Sequence, residues 1–380
     1  MNIEQPPLQP DNEEFDPGHA HSHGFGLSHS HDHHGLHEYL PAEQPTEQPA
    51  ETLEELDERL RRLTIKTLWD ETPEWFGPEP RKPRDRGSWL CFLGTGGSPR
   101  NLLSQVRRTG GFVLNLPDFM MHIDPGPGAI YHANQFGLDL TALDAVFVSH
   151  GHTDHYTEAG VVIEAMCRIM SQRRGAVLAP AELLDNNYIT AFHQGKVTPL
   201  ANGPYRGGPA VTLALQAQKP IALEGSTIVT PHNAYHGGEN YGFSLTYKGL
   251  KIGYTSDTSY IKAYRKSNGE VVSVTSGLRL GEMADFAGIA DYYTDLKENY
   301  SGLDVLIANA GYHHAFAHRH FTAYGLVHML KGSGVKLCIM THLDSLYFTN
   351  PGLAQDMARY VQEKSGVRCI VPEEGLRLEL

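Results

Sequence analysis

His150-Gly151-His152-Thr153-Asp154-His155 is the stretch on which the reading of this 380-residue chain turns. Three imidazoles and a carboxylate so close together would compete for protons and for solvent, and a pair of metal ions is the chemical reason to keep them side by side. The residues before them, Ala145-Val146-Phe147-Val148-Ser149, form an apolar β-type run, and residues 158–174 carry apolar side chains at helical spacing. The cluster is therefore expected on a loop between a strand and a helix, where a rigid scaffold presents ligands at its rim.

Further donors recur in the same kind of place. His232 and His236 follow a β-type run ending at Val229-Thr230, Asp257 follows the run 251–255, and His342 directly follows the run 337–341. If those strands share a direction, all of these side chains project from one rim. A dinuclear hydrolytic centre needs about seven protein ligands, one of them a carboxylate that bridges the ions. His150, His152, Asp154 and His155 supply part of that set; Asp257, His342 and one of His232 and His236 would complete it. Imidazoles at this spacing fit zinc, with manganese or iron as alternatives. Plainer readings exist for single residues. Asp257 could cap a helix starting near Ser259, His342 could be an ordinary loop histidine, and Asp124 is expected to orient the ligand loop by hydrogen bonds rather than to bind metal.

The rest of the chain divides by composition. The formal net charge of −13 belongs to the beginning: residues 1–58 hold 14 acidic and no basic side chains, leaving 30 acids against 31 bases afterwards. The remainder is neutral, so charge argues neither for nor against a nucleic-acid partner. Residues 1–50 lack apolar periodicity and carry His19, His21, His23, His29, His31, His33, His34 and His37, which marks a disordered histidine-rich acidic tail. Residues 51–87 read as a short amphipathic helix (52–68) and a Pro-rich basic linker (78–86), and residues 88–380 as the main domain. There, β-type runs at 89–93, 112–116, 119–123, 145–149, 176–178, 227–230, 241–247, 251–255, 305–308 and 337–341 alternate with helical patterns at 158–174, 181–192, 322–331 and 353–364. Two sheets sandwiched by helices are expected. Cys91, Cys167, Cys338 and Cys369 are scattered through apolar segments and read as buried thiols. No stretch has the length of a membrane span and no secretory signal is evident, so a cytoplasmic location is the expectation.

With these residues in place, the chain resembles the metallo-β-lactamase-fold hydrolases, and within them the ribonuclease Z-like phosphodiesterases. The resemblance covers about residues 88–380 and rests on Phe92-Leu93-Gly94-Thr95-Gly96-Gly97, the Asp124-Pro125-Gly126 turn, the H-x-H-x-D-H loop, the Asp257 motif and Met340-Thr341-His342. It implies an αββα sandwich, an α/β fold of the α+β kind. It selects His236 over His232, from the position of His236 before the Tyr241-Gly242-Phe243 strand start. It also implies His150, His152 and His236 on one metal, Asp154, His155 and His342 on the other, and Asp257 bridging. The family's leaving-group acid falls on His320, in His320-Phe321-Thr322, and the family's acidic partner falls on Asn309. Asp154 would also orient the attacking hydroxide, and Arg319 with the histidines around His313 could contact substrate phosphate.

The expected function is therefore metal-dependent hydrolysis of a phosphodiester, either a small or cyclic one or an RNA 3′ end, by a hydroxide held between two divalent ions. Lactone or carboxylic-ester hydrolysis on the same site is the alternative enzyme reading, and a zinc-handling protein built around the tail is the alternative outside catalysis. A homodimer is expected by the same resemblance. The tail itself is expected to bind additional zinc reversibly and to deliver it to the core. Deleting residues 1–50 should then slow the reloading of apo-protein in limiting zinc without changing the rate of the fully loaded protein; equal reloading rates would remove this role.

Overall fold

The computed structural model describes residues 51–197, 206–275, 285–313 and 319–380, so the histidine-rich tail and the segment containing His314 and His318 lie outside the described residues. Two seven-stranded sheets form the centre. The first holds Trp89–Gly94 (β1), Thr109–Leu116 (β2), Phe119–Ile123 (β3), Ala145–Phe147 (β4), Ala176–Ala179 (β5), Val211–Ala214 (β6) and Arg377–Glu379 (β17), in the order β17-β1-β2-β3-β4-β5-β6. The second holds Ile221–Ala222 (β7), Thr227–Asn233 (β8), Tyr241–Tyr247 (β9), Leu250–Tyr254 (β10), Val305–Asn309 (β14), Leu337–Thr341 (β15) and Arg368–Ile370 (β16), in the order β16-β15-β14-β10-β9-β8-β7. A small sheet of Ile261–Arg265 (β11), Val271–Ser273 (β12) and Gly288–Tyr292 (β13) is inserted after Asp257.

Both faces of each large sheet are covered, which is why the central strands read as unbroken apolar runs. Leu90, Phe92, Leu114, Phe147 and Leu178 of the first sheet meet Phe243, Leu245, Ile252, Ile307 and Ile339 of the second in one buried cluster. The alternate residues Cys91, Leu93, Val113, Val146 and Val177 point the other way, against Ala129–Gln135 (α3) and Ala159–Met166 (α5). Leu306, Ala308, Cys338 and Met340 likewise meet Ala323–Leu330 (α8) and Leu353–Ser365 (α10). Helix, sheet, sheet, helix is the expected αββα order. Burying both pleats makes register unambiguous, because a one-residue slip would exchange the two cores.

Strand direction brings the candidate ligands to the strand ends. β3, β4 and β5 are parallel, as are β10, β14 and β15. β8 runs the same way as β10, since each is antiparallel to β9. Asp124, the 150–155 loop, His236, Asp257 and His342 each follow the C-terminal end of one of these strands, the place where open α/β sheets bind ligands.

Several sequence expectations need correction. The helix expected over 158–174 stops at Met166, because Arg168, Ile169 and Met170 turn to positive φ. That turn carries the Arg168 guanidinium onto the carbonyl of Gly77, at 3.2 Å. The helix expected over 181–192 ends at Asp185, where the buried amide of Gln194 takes the carbonyls of Leu184 and Ile189. The helix that Asp257 might have capped does not exist; β11 begins at Ile261 instead. The basic segment 78–86 lies against the domain, with Arg84 bound through both guanidinium nitrogens to the buried Asp144. All four cysteines are free and buried. Among the described residues no helix is long and apolar enough to cross a membrane.

Candidate metal centre

The site is built outward from a carboxylate that sequence alone treats as secondary. Asp124, just past β3 and at positive φ, accepts the Ser149 N–H and O–H, both at 2.7 Å, the His155 Nδ1–H at 2.8 Å and the Tyr254 O–H at 2.6 Å. Four donors on one buried carboxylate fix the start of the ligand loop. They also fix the His155 tautomer: with Nδ1 protonated towards Asp124, the Nε2 lone pair turns into the cluster. Ser149 Oγ likewise meets His150 Nδ1 at 3.0 Å, and His150 Nε2 is buried with no hydrogen-bond partner. Gly126 of the Asp-Pro-Gly turn is required on steric grounds, because a Cβ there would collide with the Asp154 and Thr109 carbonyls. Gly97 is required for the same reason against the His342 ring.

Around this anchor the ring nitrogens converge. His155 Nε2 and His342 Nε2 lie 3.2 Å apart, and His342 Nε2 is 3.2 Å from Asp154 Oδ2 and 3.4 Å from Asp257 Oδ1. His236 gives Nδ1–H to the Arg319 carbonyl at 2.6 Å, leaving its Nε2 3.0 Å from His152 Nδ1 and 3.7 Å from Asp257 Oδ2. His320 Nδ1 reaches Asp257 Oδ2 at 3.7 Å. Three sets of ligand atoms each lie within 4.8 Å of one another: His150, His152, His236 and Asp257; Asp154, His155 and His342; Asp257, His320 and His342. All seven expected ligands and His320 are thus brought together, from loops distant in the chain. His232 is not among them; its ring is held by Ser244 at 2.9 Å and Gln218 at 3.1 Å.

The protonation balance shows what the cluster is suited to bind. Burial, then charge on the neighbouring His155, His236 and His152 rings, drives His150 well below the ordinary imidazole range. His155 goes the other way: burial opposes its charged form, but Asp154, Asp124 and Asp257 outweigh it and push the ring up to about 10. His342 is raised for the same reason, burial being overcome by Asp257 and a hydrogen bond to Asp154. Asp154 and Asp257, which burial alone would raise, are held below the carboxylate range by the imidazolium charges beside them. Without an ion, then, two ionised carboxylates keep protons on His155 and His342. Divalent cations would replace those protons and satisfy the orphaned His150 Nε2 at once. A set of imidazoles and carboxylates of this kind fits zinc, manganese or iron.

Beyond Asp124, sequence reasoning did not foresee the amides that hold Asp257. Asn309, which stands where the resemblance expects an acid, donates its amide N–H to Asp257 Oδ1 at 2.8 Å and to the Tyr254 hydroxyl at 3.1 Å. A carboxylate there would face Asp257 across a hydrogen-bond distance, whereas the amide holds it. Asn240 fixes the same loop through the Asp257 carbonyl at 2.6 Å. Arg319 lies at positive φ, with Nη1 3.1 Å from where a Cβ on Gly237 would sit, and makes no ion pair among the described residues.

Comparison with known proteins agrees with this architecture. The family model described as the beta-lactamase superfamily domain matches residues 120–343. The uncharacterized protein MJ1374 of Methanocaldococcus jannaschii is 27% identical over 299 residues, 77% of this chain and 94% of its own. Ribonuclease Z of Methanosarcina mazei is 23% identical over 314 residues, 77% of this chain and 97% of its own. Among solved structures, the metallo-beta-lactamase fold protein YhfI from Bacillus subtilis superposes with a TM-score of 0.53 at 15% identity, covering 78% of this chain and all of that one.

The Asp124 network generates a test. Asp124→Ala frees the His155 tautomer and should weaken zinc affinity by about 10- to 100-fold, the usual effect of removing a group that orients a ligand. Competition with a chromogenic chelator measures it; unchanged affinity would contradict the role given to Asp124.

Proposed function

Since the chain belongs to the metallo-β-lactamase superfamily, we propose that it is a phosphodiesterase using two divalent ions, zinc in the first place. Asp257 is the observation that carries this reading. It is a buried carboxylate whose two oxygens face His342 on one side and His236 and His320 on the other. We assign His150, His152 and His236 to one ion, Asp154, His155 and His342 to the second, and Asp257 to both. When bound, the ions would acidify a water held between them and neutralise charge growing on a phosphoryl oxygen.

The chain's own groups supply the rest. Asp154, only slightly exposed and hydrogen-bonded to His342, is placed to accept a hydrogen bond from the attacking water and so fix its approach. His320 stands on the other side of Asp257, with its side chain 20% exposed. Burial, only partly offset by Asp257, pushes its ring down to about 4, so it rests neutral. An arriving phosphodiester anion raises that pKa, which lets the ring take a proton when substrate binds and give it to the departing oxygen. Asn309 and Asn240 keep Asp257 in place, and Gly97 lets the His342 ring close on it.

Phosphodiesters are favoured over lactones by Arg319. Its exposed guanidinium lies over Gly237, next to His236, and makes no ion pair among the described residues, which leaves it able to meet an anionic phosphate. The ribonuclease Z of Methanosarcina mazei, similar along almost its whole length, supports the same substrate class.

Turnover of bis(p-nitrophenyl) phosphate against a lactone panel tests the reading, with metal content measured on every sample. His320→Ala should keep its metal and lose roughly 100-fold or more in kcat on a diester with an alkoxide leaving group, and far less on bis(p-nitrophenyl) phosphate, whose p-nitrophenolate departs without a proton. Arg319→Met should lose about 10-fold in kcat/KM on the diester and far less on any lactone. Lactone turnover exceeding diester turnover, or a His320→Ala variant undiminished on the diester with the alkoxide leaving group, would overturn it.

A further inference from the structure

Beyond the metal centre, on the far side of Tyr312, lies a cavity of about 370 Å³. Tyr312, His313, Leu346, Tyr347, Leu353 and Met357 line it, together with Asp356. The size falls within the ordinary small-ligand range of about 300–1,000 Å³. The chain itself joins the cavity to the site. A Cβ on Gly311 would sit 3.8 Å from the His342 carbonyl and 3.9 Å from His320 Nδ1. The next residue, Tyr312, holds its ring 5.8 Å from the His320 ring, centre to centre. One tyrosine is therefore a wall of the cavity and a neighbour of the proposed leaving-group acid.

The lining suits hydrocarbon. Both tyrosine hydroxyls are engaged: Tyr347 accepts the His313 N–H at 2.7 Å, and Tyr312 donates to Asp344 at 3.4 Å. The His313 ring packs against Tyr324 and Tyr360, 5.3 and 4.8 Å away between centres. The Asp356 side chain is 62% exposed and paired with Arg359 at 3.0 Å, so its charge is answered in solvent. What remains is aromatic faces, Leu346, and Leu353 with Met357 one turn apart on α10. Such walls give a polar ligand nothing in exchange for its water, whereas an alkyl chain gains by leaving it.

The surface beside the metal centre carries the same mixture. Ser98–Ser104 (α2) starts just after Gly97, whose backbone lies against the His342 ring. Arg100 ties that segment to Asp344 at 3.1 Å, the carboxylate that also holds Tyr312. Leu103 and Val106 stand out from it, 87% and 44% exposed. Exposed apolar side chains close to a cation suit an amphiphile, whose apolar chain and anionic head need both.

We propose that this cavity takes an apolar chain carried by the substrate, so that the protein cleaves amphiphilic phosphodiesters whose non-leaving group is a long alkyl chain. The proposal rests on the phosphodiesterase reading and names its substrate class. The chain lies between the Tyr312 and Tyr347 side chains, and its phosphate reaches the Asp257 cluster past His320. Water adds to phosphorus, the bond to the leaving oxygen breaks, and an alkyl phosphate and an alcohol are the products.

Methyl, butyl, hexyl and octyl p-nitrophenyl phosphate, which share one leaving group and one charge, test it below their micelle-forming concentrations. The kcat/KM of the metal-loaded protein should rise with chain length, by about 30-fold or more from methyl to octyl, a fraction of the roughly fourfold per methylene that full burial gives. Thymidine 5′-(p-nitrophenyl phosphate), whose arm is large but polar, should do no better than the butyl ester. Leu353→Trp, which fills the cavity from its half-buried side, should cut the octyl preference to about threefold or less, mainly through KM. Zinc content is measured on each variant, and Leu346→Trp replaces Leu353→Trp if the latter loses its metal. No rise with chain length, a thymidine ester as good as the octyl ester, or an octyl preference that survives filling of the cavity would each overturn the proposal. Calorimetric titration of the zinc-loaded protein with octyl phosphate and methyl phosphate separates this from the parent reading. If no ester is cleaved, hydrolysis falls. Octyl phosphate binding at least about tenfold tighter than methyl phosphate, and losing that advantage in Leu353→Trp, still sustains the chain site. Equal binding of the two, or none, removes it.

Discussion

The structure depends on a repulsion that the protein alone does not relieve. Ring nitrogens from His150, His152, His155, His236 and His342 converge on two ionised carboxylates in a volume where ligand atoms lie within 4.8 Å of one another in each set. His155 Nε2 and His342 Nε2 face each other at 3.2 Å, and His150 Nε2 is buried with no hydrogen-bond partner. An unpaired buried polar atom costs about 1–3 kcal/mol, and a buried unpaired charge more. A fold does not gather such atoms from four strand ends unless something positive offsets their mutual repulsion.

The surrounding architecture serves to hold that arrangement. Asp124 fixes the start of the histidine loop and the tautomer of His155 through four hydrogen bonds, and Asn309 and Asn240 fix Asp257. Two glycines give way to a carbonyl and to an imidazole ring. Each supporting group sits on or beside a strand whose two faces are buried in separate cores, so a displacement at the rim would have to be transmitted through packed side chains. Rigidity of this kind is what a preformed ligand set requires.

Much of this was legible in the sequence, and what was not has identifiable causes. The 150–155 loop, Asp257 and His342 announced themselves because each follows an apolar run long enough to be recognised as a strand. The choice of His236 over His232 was not fixed by strand-end position, since both follow the apolar run 227–230, although β8 itself continues through His232 to Asn233. The resemblance selected His236, and in the structure the tertiary partners, Ser244 for one ring and His152 for the other, separate them. Helix lengths failed where side chains capture carbonyls from a distance, as Gln194 does after Asp185. Asn309 looked like a missing acid because its role is to hold Asp257, a residue more than fifty positions away. The short edge strands β6, β7, β16 and β17 carry too few residues to show a period at all.

The central claim is that this rim holds two ions sharing Asp257, and it can be examined directly. Crystals of the zinc-loaded protein, with diffraction data collected on either side of the zinc absorption edge, should show two anomalous peaks about 3.5–4 Å apart. One should lie among His150, His152 and His236, and the other among Asp154, His155 and His342, with Asp257 between them. A single peak, or none within this cluster, would contradict the account.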